Sequence, residues 1–346
     1  MTEIKSKIVF SLLFMLLSIG FSTNLYGQKT ATTLNTGSYY KGNFVWCGAM
    51  NLAWNELNDS VIKGKVMLNT DDQIALSMLS KFNNPRFNKK DLDDFSYYIK
   101  SGFGAKTAKL INKDLKAKFP GKSFKILNEK VSTTDIIAYA YFQKQIVYAT
   151  KFSTPKFVDF NNERVEGFCS NGSSNQCENV KVIEYVSDEK LIVKIKRKAD
   201  SDELILAMGF NMSNPEKLID EIHKFKNSQL NTITPKDKFS VPKLNLNFQR
   251  KYEELMGIKV KNKGFENYKI VQMFEDIKFN LNEKGAKVEN EGQAIIISKS
   301  LEIDNAVLQR NFIFNKPFWV VMQRKGAENP YFILGINNSK LMRKVK

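Results

Sequence analysis

This chain of 346 residues has a single histidine and none of the cysteine motifs that bind metals. A Ser/His/Asp or Cys/His active site would have to use the single histidine, His223. That residue lies in the charged segment Glu221-Ile-His-Lys-Phe225, with no nucleophile motif beside it, so we predict a surface position for it. The sequence has no Cys-x-x-Cys pair and no Cys/His cluster, so no metal is expected.

Glycine-rich phosphate-binding turns are also missing, because the sequence contains neither a phosphate loop nor a dinucleotide-binding turn. The acidic residues do not have the spacing of a calcium-binding loop. These absences predict a protein that is not an enzyme and that needs no cofactor. A pair of catalytic carboxylates far apart in the sequence is the alternative that this reasoning leaves open.

Acidic residues are in deficit, with 36 Asp and Glu against 53 Lys and Arg, which gives a net charge of +17. Such an excess attracts polyanions, which include nucleic acids, anionic polysaccharides and acidic membranes. The lysines are spread along the whole chain rather than collected in a tail. We expect no nucleic-acid partner.

One predicted helix concentrates this charge. Residues 105–119 carry apolar side chains at helical spacing, and Pro120-Gly121 ends the pattern. A second stripe of this helix is basic and consists of Lys106, Lys109, Lys113 and Lys116. Two interpretations are open, namely a solvated helix face and a surface that binds an anionic polysaccharide.

A long apolar run occurs at the start of the chain, from Ile8 to Phe21, with two lysines before it. The run is short for a membrane span, which needs about 20 residues, and the small residue Gly27 follows at a suitable cleavage point. Residues 1–27 therefore have the layout of a secretory signal peptide, and residues 28–42 resemble a flexible lead. We expect a secreted or periplasmic protein with no membrane span after cleavage.

The three cysteines belong to a chain that we expect to be exported. Cys169 and Cys177 bracket the polar loop Ser-Asn-Gly-Ser-Ser-Asn-Gln, and a disulfide between them is predicted because exported thiols meet oxidising conditions. Cys47 lies in an apolar stretch and is predicted to be a buried free thiol.

The predicted helices come early in the chain and the strands late, which is typical of an α+β protein. Phe44 to Leu57 has a helix-like apolar pattern, and Ile136 to Phe142 is apolar on both faces, as in a central strand. A further helix is expected at Arg250–Met256. No repeat or linker interrupts residues 43–346, so we expect a single domain there.

Four short segments, taken in order along the chain, carry a family resemblance. They are Thr134-Asp-Ile-Ile-Ala-Tyr-Ala-Tyr-Phe142, Val241-Pro-Lys-Leu-Asn-Leu-Asn-Phe248 with Tyr252-Glu-Glu-Leu-Met-Gly-Ile258, Asp276-Ile-Lys-Phe-Asn-Leu-Asn-Glu-Lys-Gly285, and Phe314-Asn-Lys-Pro-Phe318 with Phe332-Ile-Leu-Gly335. In this order they resemble the serpins over residues 134–338, and the resemblance is weaker before that. It implies a serpin-like α+β fold of large mixed β-sheets with helices packed around them and an abbreviated N-terminal half.

The resemblance also implies protease inhibition. A serine protease cleaves an exposed reactive loop, here about residues 286–311, and the loop then inserts into the main sheet as a new strand. Counting from the hinge glycine gives Lys299-Ser300 as the scissile bond, which predicts a trypsin-like target because such proteases accept a cationic side chain. The implied hinge residues are Glu283, Gly285, Ala286 and Val288.

The alternation of residues along this loop permits insertion. From Ala286 to Ile296 every second residue is small or apolar except Asn290, whereas the intervening residues from Lys287 to Gln293 are polar. A strand of this pattern has one face suited to a protein interior. An ordinary charged loop is the alternative interpretation.

Three residues of the sheet-opening region depart from the serpin pattern, and Ile146 stands where serpins carry a Trp. The places where serpins carry a Ser, an Asn and a His in the sheet-opening region hold Cys47, Ala138 and Glu275. The alternative to an inhibitor is therefore a serpin-like scaffold that does not inhibit and instead binds a protein or an anionic glycan.

Overall fold

The strands and helices of the chain follow the sequence patterns in most places. The computed structural model describes residues 31–32, 42–85, 87–91, 97–121, 127–143, 146–198, 201–225, 230–286 and 309–346. The helices in these ranges are α1 (Ala49–Glu56), which continues as a π-helical segment (Leu57–Ile62), α2 (Gln73–Asn83), α3 (Gly104–Lys118), α4 (Ser174–Cys177), α5 (Pro215–Lys224), and two 3-10 turns (Lys89–Asp91 and Ser339–Leu341). The strands are β1 (Ala31–Thr32), β2 (Phe44–Cys47), β3 (Tyr97–Phe103), β4 (Asp135–Gln143), β5 (Ile146–Val147), β6 (Val158–Phe160), β7 (Glu163–Val165), β8 (Gly167–Cys169), β9 (Val180–Ser187), β10 (Lys190–Ile195), β11 (Asp202–Met208), β12 (Asn231–Thr232), β13 (Lys238–Pro242), β14 (Leu244–Lys251), β15 (Lys269–Leu281), β16 (Gly285–Ala286), β17 (Asn311–Ile313), β18 (Phe318–Arg324) and β19 (Phe332–Ile336).

Two large sheets organise these strands. An eight-stranded sheet has the order β1-β2-β19-β18-β11-β10-β9-β12, and a four-stranded sheet has the order β14-β15-β4-β3. A three-stranded sheet has the order β17-β13-β8. The predicted α+β class with mixed sheets is therefore confirmed.

Strand β4 lies inside the four-stranded sheet and is buried on both faces, as its sequence predicts. Ile136, Ala138, Ala140 and Phe142 belong to the main hydrophobic core. The alternate residues Ile137, Tyr139 and Tyr141 pack in a second cluster with Ala108, Ile111 and Leu115 of α3. The sheet is thus enclosed between the main core, which includes α1, and the amphipathic helix α3.

Two helix predictions are wrong in part. Phe44–Cys47 is a strand rather than the start of a helix, because β19 offers it a hydrogen-bonding edge with Gly335 opposite Phe44, and the helix begins only at Ala49. Arg250–Met256 is not a helix, because β14 stays paired with β15 as far as Lys251, and a series of turns follows to Gly257. In both places a partner strand supplied hydrogen bonds that local sequence patterns do not reveal.

Of the three cysteines, Cys47 is buried and free, as predicted. Cys169 and Cys177 are also free thiols, so the structure contradicts the predicted disulfide. The loop that they bracket is closed instead by Gln176, whose side chain accepts a hydrogen bond from the Asn171 backbone N–H at 2.8 Å and donates one to the Lys151 carbonyl at 2.9 Å. The Cys177 sulfur lies 3.8 Å from the Ser170 hydroxyl oxygen.

Candidate functional site

The pairing of β4 with β15, called the seam below, is the one parallel pairing inside the four-stranded sheet. Its register runs from Lys269 opposite Asp135 to Lys278 opposite Gln143. The other two pairings of this sheet, β14 with β15 and β3 with β4, are antiparallel. Because β4 and β15 are hydrogen-bonded directly to each other, no strand lies between them.

Glu275 of β15 is on the side of the seam that faces the main core and is only 2% exposed. Its carboxylate accepts a hydrogen bond from the Tyr252 hydroxyl at 2.7 Å and one from the Met50 backbone N–H, at the start of α1, at 3.3 Å. Burial raises the pKa of Glu275 to about 7, although hydrogen bonds from Tyr252, Met50 and Cys47 act to lower it. The seam therefore contains a buried carboxyl group that titrates near neutral pH.

Cys47 is the second member of this buried group. Burial and the neighbouring Glu275 carboxylate raise the pKa of the Cys47 thiol well above its ordinary value, so the thiol stays protonated. The structure thus brings together Cys47 and Glu275, two of the three departures noted in the sequence. The third, Ala138, lies opposite Met273 across the seam and contributes only a methyl group to the same face.

Asp276 is on the other face of β15, beneath α3. The Tyr139 hydroxyl of β4 donates a hydrogen bond to one of its carboxylate oxygens at 2.8 Å, and the Gln249 amide of β14 donates to the other at 2.6 Å. Burial and the Asp276 charge raise the pKa of Tyr139, so its hydroxyl stays protonated and remains a donor. Three neighbouring strands are thereby joined by side chains as well as by backbone.

A short segment after α3 is fastened across this face. The Asn112 side chain of α3 bonds both the Leu127 backbone N–H, at 2.8 Å, and the Leu127 carbonyl, at 3.1 Å. The Gln272 side chain of β15 bonds the Asn128 N–H and carbonyl, both at 2.9 Å. The segment therefore links α3 to β15 across the seam.

The chain reverses just beyond the end of β15, where the predicted loop begins. Residues 282–286, which form this reversal, are called the near foot of the loop below. Asn282 and Gly285 exchange backbone hydrogen bonds of 3.0 and 3.1 Å, and Gly285 adopts a φ of 119°, which favours glycine. Gly285 and Ala286 then form β16, which pairs with β5 rather than with β4. The predicted hinge thus leaves the four-stranded sheet at a tight turn.

An ion pair holds the near foot. The Lys243 ammonium nitrogen lies 2.8 Å from a Glu283 carboxylate oxygen, and both side chains are largely buried. Burial alone would raise the pKa of Glu283, but the hydrogen bond and charge of Lys243 outweigh it and hold the pKa below its usual value. Lys243 separates β13 from β14, so this pair connects the end of β15 to the start of its neighbour.

A second ion pair holds the far foot, where the described chain resumes at residue 309. Asp237, whose side chain has no exposed surface, accepts hydrogen bonds from the Arg310 backbone N–H at 3.0 Å and from its guanidinium at 2.7 and 3.2 Å. Thr234 donates to the same carboxylate from its backbone N–H at 2.7 Å and its hydroxyl at 3.0 Å. Burial would raise the pKa of Asp237, but these donors outweigh it and lower the pKa.

No family model and no curated protein matches the sequence, but solved structures match the fold. Serpin-12 of Manduca sexta, a serine protease inhibitor, is 11% identical with a TM-score of 0.52, over 86% of this chain and 93% of its own. Serpin48 of the insect Tenebrio molitor, described as a highly specific serpin, is 11% identical with a TM-score of 0.51, over 86% of this chain and 92% of its own. Uncleaved ovalbumin is 11% identical with a TM-score of 0.50, over 85% of this chain and 92% of its own.

The chain has the serpin fold. The resemblance carried by the four sequence segments is thereby confirmed at the level of fold, although so few residues are shared. In this serpin fold the motif Asp276–Gly285 runs along β15 to the turn at the near foot, and Phe314–Phe318 leads from β17 into β18.

The predicted site residues are distributed unevenly over the described ranges. Glu283, Gly285 and Ala286 lie at the near foot, whereas Val288, Lys299 and Ser300 fall outside the described residues. The basic stripe of α3 is fully formed, and its lysines are exposed on the side away from the sheet: Lys106, Lys109, Lys113 and Lys116.

Among the described residues, no cluster of side chains could hold a metal ion, and none of the helices is long and apolar enough to span a membrane.

Sequence reasoning missed the partners that hold the two feet. The spacing Thr234-Pro-Lys-Asp237 could have marked Asp237, because an acidic side chain three residues after a Thr can accept a hydrogen bond from the backbone N–H of that Thr. Nothing in the sequence connects Asp237 with Arg310, which follows 73 residues later. Lys243 lies within the serpin-like segment Val241–Phe248, but only the fold brings it beside Glu283.

Proposed function

We propose that this protein inhibits a serine protease by accepting its own cleaved loop as a new strand in the seam. The observation that carries the proposal is the direct parallel pairing of β4 with β15, combined with the reversal of the chain at Gly285. A loop that enters from this turn runs antiparallel to both neighbours. Insertion would replace one parallel pairing with two antiparallel pairings, which are slightly more stable per residue.

The alternation of the loop fits the two faces of the seam. The small or apolar set that begins at Ala286 would face the main core, beside Ala138 and Ala140 of β4, and the polar set would face the α3 side. Opening the seam breaks the Tyr139–Asp276 hydrogen bond, which costs about 1 kcal/mol net. Each newly buried apolar side chain offsets that cost, since burial of one such residue contributes roughly 1.5–3 kcal/mol.

The proposed reaction begins at the peptide bond between Lys299 and Ser300. The hydroxyl oxygen of the protease serine bonds to the Lys299 carbonyl carbon, the bond to the Ser300 nitrogen breaks, and that nitrogen leaves with the proton. Insertion of the loop would then carry the acylated protease away from the geometry that its hydrolytic step requires. The lysine side chain favours a trypsin-like target.

Incubation of the protein with trypsin at near-equal amounts tests this proposal. We expect a covalent adduct on a denaturing gel, cleavage after Lys299 by mass spectrometry, and a large rise in the melting temperature of the cleaved chain. Val288→Arg should convert the protein from an inhibitor to a substrate, because a charge would then have to enter the core with the strand. Glu289→Arg is the matched control, since it adds the same side chain on the opposite face and should still form the adduct. Cleavage of the unmodified protein without an adduct and without a gain in melting temperature would overturn the proposal.

We also propose that the protein is exported. The support is the composition of residues 1–27, with an apolar run after two lysines and a small residue before Gln28. Export would place the inhibitor where it meets extracellular proteases. N-terminal sequencing of the protein from the culture medium or periplasm tests this, with Gln28 as the expected first residue.

A second candidate function is binding to an anionic polysaccharide through the basic stripe. The observation in its favour is that all four lysines project from one exposed side of α3, where their charges add over a short distance. This function is compatible with inhibition, since the outer face of α3 is not part of the seam.

Salt-dependent retention on a sulfated polysaccharide column measures this binding. Changing Lys106, Lys109 and Lys113 to Gln should lower the salt concentration needed for elution, because charge-dependent contacts are lost. The matched control changes three other exposed lysines, Lys259, Lys261 and Lys263, to Gln and alters the net charge equally. If both triple variants elute alike, retention reflects total charge and the stripe is not a binding site.

A further inference from the structure

Two short segments pair with each other near the start of β15. Residues 65–69, which precede α2, run antiparallel to residues 259–263, and the two segments together are called the basic ribbon below. Leu68 forms the bridge to Val260. The Asn262 side chain fixes one end of the pairing, because it accepts a hydrogen bond from the N–H of residue 67 at 2.7 Å and donates one to the carbonyl of residue 65 at 2.9 Å.

The two faces of the basic ribbon differ in composition. Val66, Leu68 and Val260 are buried and belong to the main core. Successive side chains of an extended chain lie on opposite faces, so the residues between them face the solvent. The exposed residues are Lys65, Met67, Asn69, Lys259, Lys261 and Lys263. One face of the ribbon thus joins the core, and the other presents lysines around a methionine.

The exposed face is strongly cationic. The ribbon contains four lysines and no acidic residue. Lys269, which lies opposite Lys259 across an isolated bridge, adds a further charge. The neighbouring acidic residues of the sequence lie outside the ribbon, at Asp71, Asp72 and Glu266. Because none of the lysines from 259 to 263 forms an ion pair with any residue in the described ranges, their charge is available to a partner.

Exposed apolar side chains accompany these lysines. Met67 is 49% exposed, and its carbonyl accepts a hydrogen bond of 2.7 Å from the Lys261 N–H, which places the two residues side by side. Ile74, which follows in the first turn of α2, is 65% exposed. Transfer of such side chains out of water is favourable. Lysine stems add to the apolar surface, since their methylene groups can be buried while the ammonium stays in water.

We propose that the basic ribbon binds an anionic lipid surface, with Met67 at the edge of the acyl chains and the lysines among the phosphate headgroups. Clustered lysines are attracted to anionic lipids, and apolar side chains between them enter the interface. A soluble polyanion would use the lysines but not Met67, so the combination of the two favours a lipid surface. This inference does not depend on protease inhibition.

The position of the ribbon determines how a bound molecule would be oriented. Lys269 is the first residue of β15, and the near foot follows Leu281 at the other end of this strand. With 13 residues at about 3.3 Å each, β15 extends some ~40 Å from the ribbon to the near foot. The loop would therefore project from the lipid surface into solution, where a protease can reach it.

Sedimentation with lipid vesicles tests the proposal on the full chain. Vesicles of phosphatidylglycerol and phosphatidylcholine should bind the protein, and added salt should weaken the binding. Vesicles of phosphatidylcholine alone measure any binding through the apolar run Ile8–Phe21, which every variant shares. Equal binding to the two kinds of vesicle would overturn the proposal, since the lysines would then contribute nothing.

Two triple variants with the same net charge locate the binding surface. Changing Lys259, Lys261 and Lys263 to Gln should lower the affinity for anionic vesicles by about a hundredfold, because the attraction of three lysines is lost. The matched control changes three lysines of α3 to Gln and should lower the affinity by less than about threefold; they are Lys109, Lys113 and Lys116. Equal losses in the two variants would show that total charge determines binding, which contradicts the proposal.

Met67→Gln tests the apolar part of the surface. Glutamine has a similar length and no charge, so the variant should weaken binding to anionic vesicles by about fivefold. Retention on a sulfated polysaccharide column should not change. The melting temperature should also stay the same, because Met67 is half exposed. Undiminished affinity for anionic vesicles in this variant would show that the ribbon attracts any polyanion and would reject the proposed insertion into lipid.

Discussion

Replacing Glu275 by glutamine is expected to make the protein about 3 kcal/mol more stable than the unchanged chain near pH 8, and to change little near pH 4. The carboxyl group is buried between α1 and β15, and burial raises its pKa from the ordinary value of 4.5 to about 7. The amide of glutamine stays neutral at every pH. Its oxygen still accepts from the Met50 N–H, and its NH₂ group can donate to the Tyr252 hydroxyl.

The direction of this effect follows from proton binding. Between about pH 4.5 and pH 7 the folded protein holds the Glu275 proton while the unfolded chain has released it. The stabilising contribution of the neutral carboxyl is complete below pH 4.5, declines as pH rises through 7, and is absent above that. Other groups around the carboxyl do not supply a compensating charge, since Cys47 and Tyr252 stay protonated and Asp276 acts to raise the same pKa.

Urea unfolding at a series of pH values measures this prediction. The unchanged chain should lose stability between pH 4.5 and pH 7 more steeply than Glu275→Gln, and the two curves should separate in that window. Glu253→Gln is the control, because Glu253 is 70% exposed and the same chemical change should leave the curve unaltered. Parallel curves for Glu275→Gln and the unchanged chain would show that this carboxyl does not titrate in that range.

Replacing Asp237 by alanine is expected to cost about 3 kcal/mol of stability near pH 7, the lower end of the effect of removing one partner from a buried ion pair. The Asp237 side chain has no exposed surface, whereas that of Arg310 is 29% exposed, so water can solvate part of the guanidinium afterwards. The substitution also removes the acceptor of the Thr234 and Arg310 backbone N–H groups. Loss of buried acceptors accounts for most of the expected change.

Thermal and urea unfolding test this, with Glu189→Ala as the matched control. Glu189 pairs with Lys316, also near the far foot, but the two side chains are 72% and 51% exposed. An exposed pair contributes at most about 1 kcal/mol, so the control should be nearly as stable as the unchanged chain. Equal losses in the two variants would contradict the role assigned to Asp237.

The two predictions bear on different parts of the proposed mechanism. Asp237 holds the far foot of the loop, which would stay in place while the cleaved near side moves. Glu275 belongs to the seam that would open, so the cost of keeping its charge buried above neutral pH should favour opening, even though the Met50 N–H donates to the charged carboxylate. Faster adduct formation above pH 7 than at pH 6 would agree with this, after correction for the pH dependence of trypsin itself.

The sequence by itself determined the elements whose patterns are local. The amphipathic spacing in residues 105–119 predicted α3 and its exposed lysines, because helical geometry puts every third or fourth residue on one side. The run from Ile136 to Phe142 predicted a central strand, because a strand buried on both faces is apolar at every position. The order of four motifs predicted the fold.

Only the tertiary structure decided what depends on residues far apart in the chain. Phe44–Cys47 became a strand because β19, almost 290 residues later, offered its edge, and Cys169 and Cys177 remained free thiols. Lys243 with Glu283, Asp237 with Arg310, and Tyr139 with Asp276 are joined by strand pairing that no local pattern encodes. His223 lines a cavity because α5 packs against the eight-stranded sheet. The cause is common to all: a side chain's burial and partners, and hence its charge state, are set by the neighbours that the fold brings to it.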